Sequence, residues 1–560
     1  MTGRPVQNRR FCQPQPGLDI MRFAGARAQI LAYHQRTKHS VHGYALGPAS
    51  LDWDAQPNPY RRYEKCESLK LPFTTPSHSY GALFGDEIPA AALSRDSLAQ
   101  LLEYALSLAA IKVFGVDSWT VRCNPSSGNL HPTEAYLISS DVDGLTNGVY
   151  HYNSQDHALE RRAHWSHPSL AGAYIALTSV HWREAWKYGE RAYRYCQLDI
   201  GHAIGALRYS AALLGWKLHL ETRISDRALA RLCGTDRNDD FAGVEPEAPD
   251  LLLRIEQSPA LTDTSVAAFL ANAEWFGLPN LLDPRPLYEW QIIDQVSQAC
   301  EKPPSSINTP RRSLPCRRST DVREQGSLLR EGPTQHTPAA QLIKQRRSAL
   351  AFRPDQTMDR ASFNAILTAL LPERYTLPFD LLPHTPRLHP VLFVHRVAGL
   401  TPGLYCLPRR AEMKTTLQAV MHAQFLWEPI DDVLPLYLLQ EGDARALAKQ
   451  ICCHQNIASD SAFALGMLAE FGSILSDDET GWRYRELHWE AGLLGQALYL
   501  EAEAHGYRGT GIGCYLDDLF HELLGLGDQR FQSLYHFTVG SPVLDSRIST
   551  RPPYLSRSPS

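Results

Sequence analysis

The stretch YRYCQLDIGHAIGALRYSAALLGW at 193–216 has a second copy, YRELHWEAGLLGQALYLEAEAHGY at 484–507, and this repeat decides the fold. The two segments align without a gap at an offset of 291 residues. The matched positions are Tyr193/Tyr484, Arg194/Arg485, Asp199/Glu490, Gly201/Gly492, Ala206/Ala497, Leu207/Leu498 and Gly215/Gly506. Self-similarity at a fixed spacing indicates that one structural unit occurs twice in the chain.

The similarity extends on both sides of this segment. Downstream, the same offset matches Asp226 with Asp517 and Gly234 with Gly525. Upstream, LHPTEAYLISSDVDGLTNGVY and LHPVLFVHRVAGLTPGLY both run from LHP to GLTxGxY. We therefore expect two domains of common ancestry.

The spacing of apolar residues predicts the elements of each copy. Residues at helical spacing run through the first segment (Ile200, Ala203, Ile204, Leu207, Ala211, Leu214) and the second (Ala491, Leu494, Leu498, Ala502), which predicts a long central helix in each half. SLAQLL (97–102) and SFNAIL (362–367) predict a second shared helix, and AYLI and VLFVH after LHP predict buried strands. This mixture favours an α+β fold over regular βαβ alternation.

The domain boundaries follow from a change in composition. Residues 300–339 are rich in Pro, Ser and Arg and lack apolar periodicity, which predicts a solvated linker. Its arginines could bind an acidic partner, although without interleaved aromatic residues a plain linker is favoured. We expect an N-terminal extension at 1–40, a first domain at 41–299, this linker, and a second domain at 340–560.

Composition excludes several classes of protein. The net charge of −5 and pI near 6.5 predict no attraction to nucleic acid or to a membrane surface. No segment resembles a signal peptide or a transmembrane helix. The 11 cysteines are unpatterned, as in a reducing compartment, so we expect a cytoplasmic protein. HWSH (164–167) lacks a third metal ligand, so no metal site is expected.

The two copies also differ, and the differences suggest where function lies. PSSGN (125–129) of the first half stands opposite PHTPR (383–387), and GIG (511–513) of the second half stands opposite LET (220–222). Glycines let backbone N–H groups approach a ligand closely. Each half therefore keeps a potential binding element that the other lacks.

A third such element lies in the second half. RRS (346–348) offers two guanidinium groups and a hydroxyl, which can bind a phosphate by charge-assisted hydrogen bonds, whereas the first half has only RTKHS (36–40). By itself RRS is more often a solvated basic turn. Its meaning depends on the residues that accompany it.

These motifs together resemble a known family. The resemblance rests on RRSALAF (346–352), RCNPSSGNLHPTEAY (122–136), KYGERAYRY (187–195), LDIGH (198–202) and GIGCYLDD…LLGL…VGSP (511–542). The set is similar to the FMN-dependent nitroreductase superfamily, and within it to the SagB-type (ThcOx-like) dehydrogenase branch. In that family FMN lies between two protomers, so the resemblance implies two tandem nitroreductase-like domains that form an intramolecular pseudo-dimer with one composite FMN site.

The resemblance also implies a role for individual residues. The phosphate contacts are expected from Arg346, Arg347 and Ser348. The serine turn is expected to approach the flavin ring with Pro125, Ser126, Ser127 and Asn129. The backbone of Gly511, Ile512 and Gly513 is expected to line the cofactor. A C-terminal basic contact is expected from Arg547 or Arg551.

Lys187 and Tyr188 resemble a lysine-tyrosine pair that the SagB-type branch carries near the flavin. The resemblance implies that Lys187 acts as a base during substrate oxidation, with Tyr188 as a proton relay. Alternatively, the segment is a basic, aromatic helix face whose charged groups reach solvent. His202, on the central helix, is expected to be a satisfied core or interface histidine.

Two classes of function follow. The first is an FMN-dependent oxidoreductase that transfers hydride through flavin N5 and acts on a small-molecule or peptide-derived substrate, with an NAD(P)H-dependent nitro or quinone reductase as the runner-up. The second is a flavin-free scaffold for a biosynthetic partner protein. The sequence carries no readable code for the substrate or the electron acceptor.

Overall fold

The computed structural model describes residues 25–85, 88–166, 171–304, 336–373, 376–475 and 481–554. Its helices are α1 (Ala26–Arg36), α2 (Arg95–Ala105), α3 (His181–Tyr188), α4 (Ala192–Ala212), α5 (Asp226–Cys233), α6 (Asp263–Leu270), α7 (Gln291–Ala299), α8 (Ala339–Gln345), α9 (Arg360–Thr368), α10 (Met413–Val420), α11 (Arg445–Ile451), α12 (Asn456–Asp460), α13 (Phe471–Ile474), α14 (Arg483–Ala504) and α15 (Asp517–Leu524). Most of the predicted linker and the first part of the predicted N-terminal extension lie outside the described residues.

The strands are β1 (Tyr63–Glu64), β2 (Ser68–Lys70), β3 (Leu108–Phe114), β4 (Asp117–Arg122), β5 (Thr133–Ser140), β6 (Gly148–Asn153), β7 (Ala158–His164), β8 (Gly172–Ser179), β9 (Leu218–Leu220), β10 (Ala248–Ile255), β11 (Glu274–Trp275), β12 (Leu278–Pro279), β13 (Leu388–Val394), β14 (Gly403–Cys406), β15 (Glu428–Pro429), β16 (Tyr437–Glu441), β17 (Phe463–Ala469), β18 (Arg508–Ile512), β19 (Gln532–Gly540) and β20 (Ser549–Arg551). The predicted helices and strands of both copies are therefore present.

Two antiparallel sheets with equivalent strand orders form the framework. The first runs β11-β7-β6-β5-β8-β10-β9, and the second runs β15-β16-β14-β13-β17-β19-β18. In each sheet the strand that begins near LHP pairs with the strand that precedes the long helix. Because these strands pair antiparallel and the helices do not alternate with parallel strands, the predicted α+β class is confirmed.

The long helices α4 and α14 pack against each other at the centre of the molecule. Gly201 and Gly492 meet where the helices cross, and a Cβ built on either one would lie 2.8 Å from the other's Cα. The surrounding apolar core is continuous between the halves and includes Leu198, Ile204 and Leu494. The small residues that the repeat shares are thus needed for the close approach of two backbones.

Two reciprocal ion pairs lie on either side of this crossing. Arg194 of α4 bonds Asp517 of α15 at 2.9 Å, and Arg485 of α14 bonds Asp226 of α5 at 2.7 Å. Each pair joins one half to the other, and its members stand at equivalent positions of the repeat. The four side chains are almost fully buried. Removing one partner of either pair would therefore leave an uncompensated buried charge, which is strongly destabilising.

The matched glycines that follow α5 and α15 have a local cause. Gly234 and Gly525 adopt φ values of 71° and 77°, in the left-handed region that ends a helix. A side chain there would be strained. These positions of the repeat are therefore explained by helix termination.

Helix α1 brings the end of the predicted N-terminal extension into the core. Tyr33 is fully buried and its hydroxyl donates to the carbonyl of Glu190. Arg36 forms a bidentate pair with the carboxylate of Glu190 at 2.7 Å. Within the described ranges, no helix is both long and apolar enough to cross a membrane.

Candidate functional site

The serine turn lies between β4 and β5 and is attached to the central helix. The N–H of Ser127 donates to both carboxylate oxygens of Asp199 at 3.0 and 3.1 Å, and its hydroxyl donates at 2.9 Å. Gly128 and Asn129 follow with φ values of 59° and 61°. Asn129 donates to the carbonyl of Thr120 at 2.9 Å. The turn is thus held rigidly, with Ser126, Ser127 and Pro125 on its partly exposed side.

Burial raises the pKa of Asp199 to about 7, against the hydrogen bonds from Ser126 and Ser127, which lower it. The folded chain therefore holds a proton that the unfolded chain, with an ordinary pKa of 3.8, releases at the same pH. A raised carboxyl pKa means that stability increases as the pH falls from above 7 toward 4. Above pH 7 the carboxylate of Asp199 is charged, and the full cost of burying that charge lowers the free energy of unfolding.

We expect Asp199→Asn to flatten this pH dependence. The free energy of unfolding of the wild type should rise by about 3 kcal/mol between pH 8 and pH 5 from this group, and the variant should lose that rise. Urea denaturation of flavin-free protein at several pH values would measure it. The exposed Asp96, changed to Asn, is the control, and an unchanged slope in Asp199→Asn would contradict the assignment.

Lys187 and Tyr188 end helix α3 beside the serine turn. A Cβ built on Gly128 would lie 2.7 Å from the Tyr188 hydroxyl and 3.2 Å from the Lys187 ammonium. Burial, with Glu184 nearby, raises the pKa of Tyr188 well above its ordinary value, so this hydroxyl is a neutral proton donor. The Lys187 ammonium lies 5.4 Å from the centre of the Trp53 ring. The predicted pair and the predicted turn are therefore neighbours.

Glu184 lies on the same helix as Lys187 and Tyr188, although the sequence analysis did not identify it. It is fully buried, and neither carboxylate oxygen has a hydrogen-bond partner among the described residues. Burial and the neighbouring Asp199 raise its pKa well above the usual range, which favours the protonated form. Its spacing of three residues from Lys187 on one helix face is the signal that could have found it.

Arg346 connects the second half to the serine turn. Its guanidinium Nη2 donates to the carbonyl of Arg122 at 3.4 Å, just before the turn. It also lies over the ring of Tyr499 at 4.9 Å. The Tyr499 hydroxyl bonds the Ser348 hydroxyl at 2.8 Å and accepts from the N–H of Gly511 at 3.0 Å. The arginine-serine segment and the glycine segment thus share one tyrosine.

The electrostatics of the two arginines suit an anion. Arg346 and Arg347 form no ion pair within the described part of the chain, and the Nε atom of each is buried without a partner. Burial lowers the pKa of both groups, that of Arg347 to about 10 with the neighbouring Arg346 as a further cause. The carboxylate of Glu503 acts on both guanidiniums without forming an ion pair with either, and two desolvated cations of this kind are further stabilised by a bound phosphate. The residues present therefore fit the phosphate of FMN.

Gly511 and Gly513 cannot be replaced by larger residues. A Cβ on Gly511 would overlap the hydroxyl of Tyr535, and a Cβ on Gly513 would overlap the ring of Tyr195. Ile512, between them, is buried. The ring of Tyr195 lies 4.5 Å from that of Tyr188, so the glycine segment reaches the lysine-tyrosine pair through one aromatic side chain.

The tyrosines of this region were missed by sequence reasoning. Tyr499 stands at the repeat position of Arg208, so the two copies differ there, but this difference does not show what the tyrosine hydroxyl bonds. Tyr535 of β19 bonds His202 of α4 at 3.0 Å and so joins the two halves. Burial lowers the pKa of His202 to about 3, so this histidine is neutral at the helix interface.

The two C-terminal arginines are both exposed. Arg547 is mostly exposed and pairs with Asp545 at 2.7 Å. Arg551 is exposed on β20, which pairs with β3 of the first half. The nearer cation is Arg508 of β18, whose charge acts on both Arg346 and Arg347. A cofactor contact from Arg547 or Arg551 stays a prediction.

The equivalent region of the opposite side is filled by protein groups. Glu490, the counterpart of Asp199, accepts the N–H of Arg387 at 3.0 and 3.1 Å. The buried guanidinium of Arg409 also reaches Glu490. Glu490 is therefore charge-paired with an arginine, whereas Asp199 is bonded by the serine turn. The two copies therefore differ in the groups that surround these equivalent carboxylates.

A cavity of about 700 Å³ lies at the other end of α3. It is lined by residues of α3, α5, α7 and neighbouring loops, including Trp182, Tyr288, Trp290 and Arg485. None of the predicted cofactor residues lines it. Across the described ranges, no group of three or more His, Cys, Asp or Glu side chains is arranged to hold a metal ion.

Comparison with known proteins finds a family match for part of the chain and a solved structure of similar fold. Residues 343–541, in the second half of the chain, match the family model described as the nitroreductase family. A crystal structure of a nitroreductase from Anabaena variabilis has the same fold, with a TM-score of 0.64 and 20% identity, over 92% of this chain and 99% of that one.

Two curated relatives are similar over shorter stretches. The trifolitoxin-processing protein TfxB of Rhizobium leguminosarum bv. trifolii is 28% identical over 142 residues, which are 22% of this chain and 38% of that protein. The nitroreductase MJ1384 of Methanocaldococcus jannaschii is 29% identical over 104 residues, 16% of this chain and 52% of that protein. The chain thus spans about half or less of the length of these relatives.

Proposed function

We propose that the protein is an FMN-dependent oxidoreductase of the SagB-type dehydrogenase kind, with one composite FMN site per chain. The observation that carries the proposal is the contact of Arg346, from the second half, with the residue that precedes the serine turn of the first half. Elements that are separated by more than 200 residues in sequence meet there. In the nitroreductase family, cofactor sites combine such elements from two protomers.

The chain is accordingly a tandem duplication folded as a pseudo-dimer. The equivalent strand orders, the crossing of Gly201 with Gly492 and the reciprocal ion pairs support this interpretation. We propose domains at 41–299 and 340–560, joined by the linker at 300–339. The filled region around Glu490 and Arg409 explains why only one cofactor site is proposed.

The roles of the residues follow from their chemistry. Arg346 and Arg347 bind the phosphate, with the Ser348 hydroxyl as a further donor. Gly511, Ile512 and Gly513 line the cofactor by backbone, because side chains at the two glycines would meet Tyr535 and Tyr195. The serine turn, Pro125 to Asn129, faces the ring.

FMN, when bound, supplies an acceptor and donor of hydride. The protein must then take or give the accompanying proton. Lys187 serves as the base, Tyr188 donates and relays as a neutral hydroxyl, and Glu184 holds a proton in the buried space behind them. The substrate is a small or peptide-derived molecule. Partner proteins are proposed from the similarity to a protein named for toxin processing.

We expect purified protein to contain FMN, and Arg346→Ala to weaken its binding about 10- to 100-fold, because a charge-assisted contact contributes about 1.5–3 kcal/mol. Mass spectrometry of the released chromophore and fluorescence titration of flavin-free protein would measure this. Ser348→Ala should weaken binding less. Arg530→Ala, at an exposed arginine that pairs with Asp528, is the matched control.

Two outcomes would favour other functions. A colourless wild type that ignores added FMN would favour a flavin-free scaffold. A nitro or quinone reductase would be favoured if the protein rapidly oxidised NADPH with a quinone or nitroarene as acceptor. That activity should be lost in Arg346→Ala and kept in Lys187→Met. A dehydrogenase role predicts instead that Lys187→Met slows substrate oxidation while FMN binding is kept.

A further inference from the structure

Two cysteines face each other just beyond the glycine segment. Cys514 follows Gly513 directly, and Cys453 lies in a turn that the protein fastens against it. The side chain of Gln455 donates to the carbonyl of Cys514 at 3.2 Å, and the N–H of Leu516 donates to the carbonyl of Ile451 at 2.7 Å. Both thiols are partly exposed. Their hydrogen bond joins two sulfurs that are 61 positions apart in sequence.

The turn that carries Cys453 is strained. Cys453 and the following His454 have φ values of 52° and 60°, in a region that residues with side chains rarely adopt. Two such residues in succession are costly to the folded state. Strain of this kind persists only where the surrounding structure fixes the backbone, and here the hydrogen bonds of Gln455 and Leu516 fasten the turn.

A histidine from the first part of the chain completes the group. His39 forms a bridge with Leu516, and its Nδ1 accepts the N–H of Ala45 at 2.9 Å. The proton of the neutral ring is therefore on Nε2, which is free to donate to the Cys514 sulfur. Arg191 donates to the carbonyl of Gly513 at 3.1 Å, so its positive charge is also close.

These neighbours stabilise a thiolate. The hydrogen bond from the Cys453 thiol, followed by His39 and Arg191, lowers the pKa of Cys514 against the effect of burial. The same contact raises the pKa of Cys453, which is the donor. By contrast, burial raises the pKa of the half-buried Cys66 to about 11. A low-pKa, accessible thiol beside a second thiol is the arrangement of a thiol-exchange site.

We propose that Cys514 and Cys453 form a dithiol site for exchange with low-molecular-weight disulfides, with Cys514 as the nucleophile and Cys453 as the resolving thiol. The Cys514 thiolate attacks one sulfur of the disulfide, its S–S bond breaks, and one thiolate leaves. The Cys453 thiol then loses its proton to solvent and attacks the mixed disulfide. The products are two small thiols and a Cys453–Cys514 disulfide, so two electrons pass from protein to ligand.

The pH profile of alkylation tests the nucleophile. At pH 7 a low-pKa thiolate is abundant but intrinsically less nucleophilic, so the rate alone is a poor readout. The rate at Cys514 with iodoacetamide should instead change less than about twofold between pH 6.5 and 8.5. The alkylation rate of Cys66 in the same chain should increase close to tenfold for each unit of pH, because burial raises the pKa of its thiol to about 11. Parallel profiles for the two cysteines would overturn the proposal.

Exchange with hydroxyethyl disulfide tests the pair. Peptide mapping of the full-length wild type should find the Cys453–Cys514 disulfide and two released thiols per chain. Cys453→Ser should accumulate a mixed disulfide at Cys514, and Cys514→Ser should form neither product. A stable mixed disulfide in the wild type, or equal reaction of Cys514→Ser, would refute the proposed roles of the two thiols. His39→Gln should shift the alkylation profile of Cys514 to higher pH, whereas Cys66→Ser should leave it unchanged.

Discussion

Asp517→Asn is expected to reduce the free energy of unfolding by about 3–5 kcal/mol. The carboxylate of Asp517 is fully buried and bonds two arginines, Arg191 at 3.0 Å and Arg194 at 2.9 Å. It also accepts the N–H of His39 at 3.0 Å. The nearly isosteric amide removes the only carboxylate that is ion-paired with these guanidiniums among the described residues, and leaves two buried cations uncompensated.

The neighbouring residue provides the control for this prediction. Asp518 pairs with Lys38, but its side chain is 42% exposed, so Asp518→Asn should cost less than about 1 kcal/mol. Chemical denaturation at pH 7 compares the two variants. Arg191 and Arg194 lower the pKa of Asp517 far below its usual range. Its contribution is therefore present in full above about pH 4 and is lost only in acid. A loss equal to that of Asp518→Asn would contradict the assigned role.

Gly492→Ala is expected to destabilise the protein by about 3 kcal/mol or more, although alanine favours a helix over glycine by about 1 kcal/mol. The new Cβ would overlap the carbonyl oxygen of Leu198 and lie 2.8 Å from the Cα of Gly201. Backbone atoms cannot move aside by a rotamer change. Helices α4 and α14 would have to separate, which opens the core between the two halves.

Thermal and urea denaturation would measure this effect. Gly527 is the matched control, because a Cβ there meets nothing within 4 Å and its φ is ordinary; Gly527→Ala should be close to neutral. Gly201→Ala should behave like Gly492→Ala, since it contacts the same crossing from the other helix. A stable Gly492→Ala protein would show that the helices can separate without loss of the fold.

The parts of the site that share a motif were predictable, and the parts that join the motifs were not. Arg346, Ser348 and Gly511 could be named from local patterns. Tyr499, which bonds both Ser348 and Gly511, could not. From the sequence, a tyrosine on an apolar helix is interpreted as a core residue. Only the structure shows that its hydroxyl bonds groups from two other elements. The unpartnered carboxyl of Glu184 is a similar case, since burial depends on what packs against the helix.

The amino-acid sequence alone predicts the long central helix and the buried strands of each half, because apolar spacing and small residues are local properties of a segment. It also determined which binding elements each half retains. The tertiary structure decided how they combine: the packing of Gly201 on Gly492 brings the serine turn of one half to the arginines of the other. Such proximity depends on distances between residues far apart in sequence. Those distances are set by how two helices and two sheets pack, which no local pattern encodes.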